Sequence, residues 1–423
     1  MQLETSRWPD HPWGGKLPIF VGITGHRQMN ERDIVRSYRQ ILQLLRALKE
    51  KFPNTPIVAV TPLAEGADRI LAAAAKTLKI AYIVPMPCRR STYLASLIDD
   101  AAREEFERFA QEAAMCYAVE DTDQLNDEQY RELGEHVARL SHILIAVHDR
   151  SVNPEPPQDD TATHDNKFGT EYVIRYWHRL NTKERPWIVP PVLMKTDKTF
   201  GQLQHPFPIA IDRGNRVCSR LDHLLKDEHP EAGPGDDELS PIARQLLESL
   251  RPDKKDGNFE KWWDGFNADA ERLNKRLETS WKANETTFAG LLNARDTLPL
   301  LQDIREDSHL TRIAMLYHTA DQLSLHFAGR RKFFHLLLSG AAFVLSILLF
   351  VYDNYSLYNS IFVYLFVFVS AWAVYKWVTK QKFHDKFVVY RALAENLRIL
   401  FYLHLLNRYP KEPFESYWKM DDT

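Results

Sequence analysis

Apolar residues along this chain follow two different rhythms. In the first 195 residues they come in short runs, at 19–24, 57–61, 81–84, 115–119, 142–147 and 187–193, separated by stretches in which apolar positions recur at helical spacing. Short apolar runs bounded by turn residues predict strands, and strands alternating with helices predict a parallel sheet covered on both faces. Later the rhythm changes. Residues 333–352 read FFHLLLSGAAFVLSILLFVY and residues 361–378 read IFVYLFVFVSAWAVYKWV, each about one hydrocarbon thickness of helix, with a short polar interruption between them.

Charge sharpens the reading of those two runs. Arg330, Arg331 and Lys332 precede the first, Lys380, Lys382 and Lys386 follow the second, and the connecting loop carries no positive charge. By the positive-inside rule this predicts a transmembrane hairpin, multi-pass in the cell inner membrane, with both termini cytoplasmic. Two buried helices of a soluble core are the alternative for such runs, and a plain anchor is the alternative for such a hairpin. Few polar residues (His335, Ser339, Ser346, Ser370, Lys376) fall within it to mark a permeation path. The flanks at 310–331 and 380–408 lack proline and predict helices continuing from the membrane into the cytoplasm. On the second flank, Arg391, Glu395 and Arg398 stand at four- and three-residue spacing, which predicts pairing along one helical face.

Between 196 and 306 the chain is polar and broken by proline and glycine, notably HPFP at 205–208, which predicts loops. Helical periodicity returns near 239–250 and from 259 to 292, where Trp262, Trp263, Phe266, Leu273 and Trp281 form a packing stripe. The expected architecture is therefore α/β: a Rossmann-like parallel sheet domain (1–195), a helical connector (196–306), and a two-helix transmembrane hairpin with long cytoplasmic helices (307–423).

Length and overall charge agree with more than one unit and say little else. At 423 residues the chain exceeds what one core usually organises, and a net charge of −3 gives no signal for nucleic acid. Cys88, Cys116 and Cys218 are too far apart for a metal site, so free thiols and no metal are expected. The first fifteen residues lack the apolar stretch of an export signal.

Parallel sheets bind ligands at the carboxyl ends of their strands, where strand order reverses. Candidate chemistry falls there four times. The first strand runs into Gly22, Thr24, Gly25, His26 and Arg27, where small residues let backbone approach a phosphate and two side chains add donors. After the second strand come Glu65, Gly66, Ala67 and Asp68, with Glu65 suited to accept sugar hydroxyls and Asp68 to cap the next helix or bind the ligand. The third strand is followed by Arg89, a further candidate for phosphate. Gly169, Thr170 and Glu171 open a helix after the fifth, a second phosphate-ready N-terminus.

The series GITGHR, LAEGADR, PMP with Tyr93 downstream, LIAVHDR and GTEYV resembles the SLOG family of Rossmannoid nucleotide-binding domains. The hairpin followed by YRALAENLR resembles SLATT, a two-helix membrane effector domain found beside such sensors in bacterial conflict systems. Together the resemblances imply a nucleotide second messenger or ADP-ribose-type ligand rather than a resident cofactor, the lipid bilayer and further copies of the chain as partners, and antiviral defence by pore formation or membrane disruption. Hydrolases related to SLOG carry a fuller GGxGTxxE signature, whereas Lys167 and Phe168 stand here where glycines would. The resemblance thus implies binding. The competing expectation is a membrane-anchored nucleotide or NAD hydrolase using Glu65 or Glu171 as acid and base.

Overall fold

The computed structural model describes residues 15–149, 169–182, 207–211, 243–244, 247–248, 258–280, 308–355 and 360–406. The chain divides into two compact units, Leu17–Ala268 and Met1–Lys16 with Asp269–Thr423.

The first unit is built on six parallel strands, β1 (Ile19–Gly25), β2 (Ile57–Val60), β3 (Ala81–Met86), β4 (Met115–Ala118), β5 (Ile143–Asp149) and β6 (Phe207–Ile211), in the order β4-β3-β2-β1-β5-β6. The helices between them are α1 (Glu31–Lys51), α2 (Ala67–Thr77), α3 (Arg90–Ala95), α4 (Asp100–Glu112), α5 (Asp127–Leu140) and α6 (Thr170–Thr182). In α1, Ile41, Leu44, Leu45 and Leu48 recur at three- and four-residue spacing and are completely buried, which is why this segment winds as a helix against the sheet. Asn30 caps it by accepting the Asp33 N–H at 2.7 Å. A Cβ added at Gly22 would lie 1.9 Å from Ser141 Oγ at the end of α5, and one at Gly25 would lie 2.5 Å from Ala67 of α2. Three residues apart on one strand, these positions face opposite sides, so β1 is covered on both.

Five of the six expected strands lie where the apolar runs put them, whereas residues 187–193 fall outside the described residues. The sixth strand among the described residues is Phe207–Ile211, in the stretch that proline content marked as loop. Its Phe207 and Ile209 are fully buried against β5. Among the described residues β6 pairs on one side only, so the N–H that Pro208 lacks leaves no described neighbour strand unsatisfied. The sheet unit therefore extends past residue 195, and it also takes in α7 (Asn258–Arg272) as far as Ala268. There the packing stripe holds at Trp263 and Phe266, which are buried. Trp263 Nε1 donates to the Leu17 carbonyl at 3.1 Å, and Asn267 receives the Leu17 N–H at 2.7 Å, tying the entrance of β1. The Trp262 side chain and Trp281 lie outside the described residues, and Leu273 belongs to the other unit, where it is half-buried.

The second unit contains α8 (Ser308–Tyr355), α9 (Ser360–Gln381) and α10 (Phe383–Leu406). Helix α8 runs unbroken from the amphipathic flank through the first apolar run, as expected. The second run differs. Lys382 adopts φ 52° and separates α9 from α10, so this flank is a new helix that packs back along α8. Among the described residues two helices are long and apolar enough to cross a membrane, and none of the apolar window in either is buried in the protein. Phe343, Phe362 and Phe366 are more than two-thirds exposed. That pattern does not fit the helices of a soluble core. Below the apolar belt, Asp269, 2% exposed, holds Lys386 Nζ at 2.6 Å and the Tyr390 hydroxyl at 2.8 Å. Glu395 pairs with Arg391 and with Arg398 at 2.6 Å, and Arg391 reaches Asp321 of α8 at 2.8 Å.

Candidate functional site: a cleft at the switch point of the sheet

From β1 the chain builds outward to β4 on one side and then returns to place β5 on the other. A cleft of about 530 Å³ lies there, between the end of β1 and helices α5 and α6, within the range of small-molecule sites.

Two loops make its floor. His26 and Arg27 follow β1, and the segment 61–66 follows β2. They are locked together by backbone: the Ala67 N–H donates to the His26 carbonyl at 3.2 Å. Gly66 has φ 81°, and a Cβ there would stand 2.4 Å from both the His26 and Arg27 carbonyl oxygens. Only glycine meets both demands. Leu63 next to it also has positive φ, at 62°, a conformation that costs a branched residue about 1–2 kcal/mol. Surrounding bonds hold it there: Thr61 Oγ1 donates to the Asp68 carbonyl at 2.7 Å, and Arg69 Nε donates to the Leu63 carbonyl at 3.2 Å while its guanidinium pairs with Glu105.

The side chains on this floor are charged. Asp68 sits in the first turn of α2 and accepts the Ala64 N–H at 3.3 Å. Burial pushes its carboxyl up to about 7, with Arg27, the Ala64 N–H and Arg69 pulling the other way and Glu65 adding to the rise. It does not cap α2, whose N-cap is Gly66 without a side-chain hydrogen bond; it ties the preceding loop and lines the cleft. Glu65 is buried and accepts the Ile98 N–H at 3.2 Å. Arg27 remains exposed, its guanidinium 4.8 Å from the centre of the Tyr130 ring. Desolvation opposes its charge, but hydrogen bonding with Tyr130 and the nearby Tyr93 and Glu65 outweigh that and raise its pKa. Tyr93, buried, donates to the Pro62 carbonyl at 3.3 Å, and burial drives its hydroxyl well above the ordinary range.

Helices α5 and α6 form the wall. Gly134 lets them approach, since a Cβ there would be 2.6 Å from Val173 Cγ2. Gly169, with φ 90°, turns the chain into α6, which begins at Thr170. Its first-turn residues Thr170, Glu171 and Tyr172 line the cleft, and first-turn amides have no intrahelical acceptor. Tyr172 donates to Glu135 at 2.6 Å, and Arg131 pairs with Glu135 at 2.5 Å and with Glu128, so this wall is stiffened by ion pairs.

Of the residues singled out in sequence, Thr24, Gly25, His26, Arg27, Glu65, Asp68, Gly169, Thr170 and Glu171 all line this one cleft. Gly22, Gly66 and Ala67 support it through close packing instead. Arg89 does not join it: exposed, it pairs with Asp121 at 2.7 Å and Asp123 at 2.5 Å. Glu171 also lies 3.3 Å from Arg175 of the same helix. Sequence reasoning missed Asp127, Tyr130, Arg131, Gly134 and Tyr172, because most lie on a helix whose own pattern is ordinary. His148, buried at the end of β5 and part of the lining, carried the one usable signal, its position at a strand end. Among the described residues no group of three His, Cys, Asp or Glu side chains could hold a metal.

The arrangement can therefore place anionic oxygens against Arg27 and the start of α6, and hydroxyl groups against Glu65 and Asp68, in one connected space. No protein-family model and no curated protein matches the chain.

Proposed function

We propose that the sheet unit is a sensor for a nucleotide-derived signal and that the hairpin is its membrane output. The cleft carries this reading. Its volume fits a nucleotide, and a guanidinium, a helix N-terminus and carboxylates all face it, the donors and acceptors that phosphates and ribose require. The SLOG-like motifs supply most of that lining. In this reading α8 and α9 cross the inner membrane with both termini in the cytoplasm. One hairpin cannot enclose a pore, so several copies assemble, and ligand occupancy reorganises their helices to open or disrupt the bilayer. The SLATT-like layout adds antiviral defence as the setting.

The test is thermal stabilisation of the full-length protein in detergent across mono-, di- and cyclic nucleotides and ADP-ribose compounds. One compound should raise the transition, and Arg27→Ala should remove the shift. A flat response to the whole panel would overturn the nucleotide reading.

One observation favours a second reading. A buried carboxyl that titrates near 7, Asp68, is matched to proton transfer at neutral pH, as in a hydrolase of nucleotides or NAD. Turnover of the stabilising compound, lost in Asp68→Asn or Glu65→Gln, would establish it. Recovery of the compound intact would reject it.

A further inference from the structure

A second cleft, of about 580 Å³, lies in the unit that holds the hairpin. One side is cationic. Arg276 Nη1 is 3.3 Å from His326 Nδ1, and Arg330 lies one turn further along α8, its guanidinium 5.8 Å from the Phe383 ring centre. The other side is aromatic: Phe333 and Phe334 continue the face of α8 that carries His326 and Arg330, and Trp377 comes from α9. A Cβ added at Gly329, on the rim, would meet nothing within 4 Å.

These arginines, like Arg331 with His384 and Phe387, differ from others of the unit. Arg272, Arg391 and Arg398 each have a carboxylate partner. Among the described residues, Arg276 and Arg330 have a histidine and an aromatic ring instead. Two guanidiniums sharing a cleft without a carboxylate attract an anion. The aromatic half narrows which anion. Phe333 is 61% and Trp377 46% exposed, and both belong to the apolar runs of the hairpin, so the cleft joins a cationic floor to a surface suited to hydrocarbon. A free phosphate uses only the first half.

We propose that this cleft is a binding site for an anionic phospholipid, its headgroup phosphate held by Arg276 and Arg330 and its acyl chains lying on Phe333 and Trp377. The proposal rests on the hairpin crossing a membrane.

The test uses full-length protein in nanodiscs of phosphatidylcholine with phosphatidylglycerol, extracted into detergent and analysed for retained lipid by native mass spectrometry. Each arginine should contribute about a fivefold preference for the anionic lipid, about 25-fold together. Arg276→Gln with Arg330→Gln should erase that preference, and Gly329→Met, which leaves the charges and obstructs the rim, should reduce it. Millimolar inorganic phosphate should not displace the lipid. Equal retention of both lipids, a preference untouched in the double variant, or displacement by phosphate would each overturn the lipid site. Carbonate extraction separates the two layers of the argument. If wild type and variants stay with the membrane, failure of lipid preference overturns the site alone. If wild type is extracted, the membrane reading falls, and the site with it.

Discussion

The sheet unit and the hairpin unit use the same apolar residue types in opposite ways. In the first, Ile41, Val58 and Val147 have no exposed surface, and Gly66 stands where a single added carbon would collide with two backbone carbonyls. In the second, Phe343, Phe362 and Phe366 point outward, while the interior below the belt is tied by Asp269 with Lys386 and Tyr390. The difference teaches which solvent each unit is built for. Water drives the first unit's side chains inward. The outward face of the second repels water, and its shape follows from helices that satisfy their own backbone. Perturbations should therefore act on one unit and spare the other.

The strongest separation should come from Gly66→Ala. With φ 81° and two carbonyl oxygens 2.4 Å from the new Cβ, the loops after β1 and β2 must part. The expected cost is about 3–5 kcal/mol, which for a unit of this size lowers the thermal transition by roughly 10 °C. Membrane retention on carbonate extraction should not change. A loss below about 1 kcal/mol in denaturant unfolding would mean that the two loops are not locked as described.

That glycine also marks what the sequence disclosed and what it concealed. Gly66 and Asp68 were visible because a strand-turn-helix pattern puts them at the carboxyl edge, and nine of the candidates converge on one cleft for that reason. Much of the wall was hidden, although Gly169, Thr170 and Glu171 at the start of α6 were not. Tyr130 and Tyr172 sit on ordinary amphipathic helices, and only the packing of α5 on α6, through Gly134, turns them inward. Strand β6 was missed because Pro208 argues against a strand everywhere except at an edge, and sequence does not say which strand is the edge. Arg89 failed for the converse reason, since acids thirty residues away, Asp121 and Asp123, claim it.

Next in size is the pH dependence of the sheet unit. Asp68, pushed up to about 7 from an ordinary value near 4, favours the folded state most when protonated, so its contribution is complete below about pH 4 and is lost as pH rises to 7, by at most about 4 kcal/mol. His142 works the other way. Burial lowers it to about 4, so its contribution is complete above about pH 6.5 and is lost as pH falls, by at most about 3 kcal/mol. The two nearly cancel in wild type. Asp68→Asn should expose the His142 limb, giving stability that climbs between pH 4 and 6.5 in chemical denaturation. Identical slopes in wild type and variant would refute the assignment. For the hairpin, Phe343→Lys should weaken membrane insertion by about 3 kcal/mol and leave the sheet unit's transition where it was, and full insertion of the variant would undo the reading of that exposed face as lipid-facing.

The smallest effect is expected at Glu395, although it sits at the centre of an ion-pair chain. Arg391 and Arg398, both about half exposed, flank it on α10, and pairs of that kind exchange solvation for attraction at almost no net gain. Glu395→Ala should cost less than about 1 kcal/mol, and less still in high salt. Asp269 supplies the contrast within the same unit. There the carboxylate is 2% exposed, and removing it leaves Lys386 and Tyr390 turned toward a space without an acceptor, a loss of about 3–5 kcal/mol. If unfolding of the two variants in detergent gives costs of the same size, burial is not what distinguishes these carboxylates, and the helices must part far enough for water to reach Asp269.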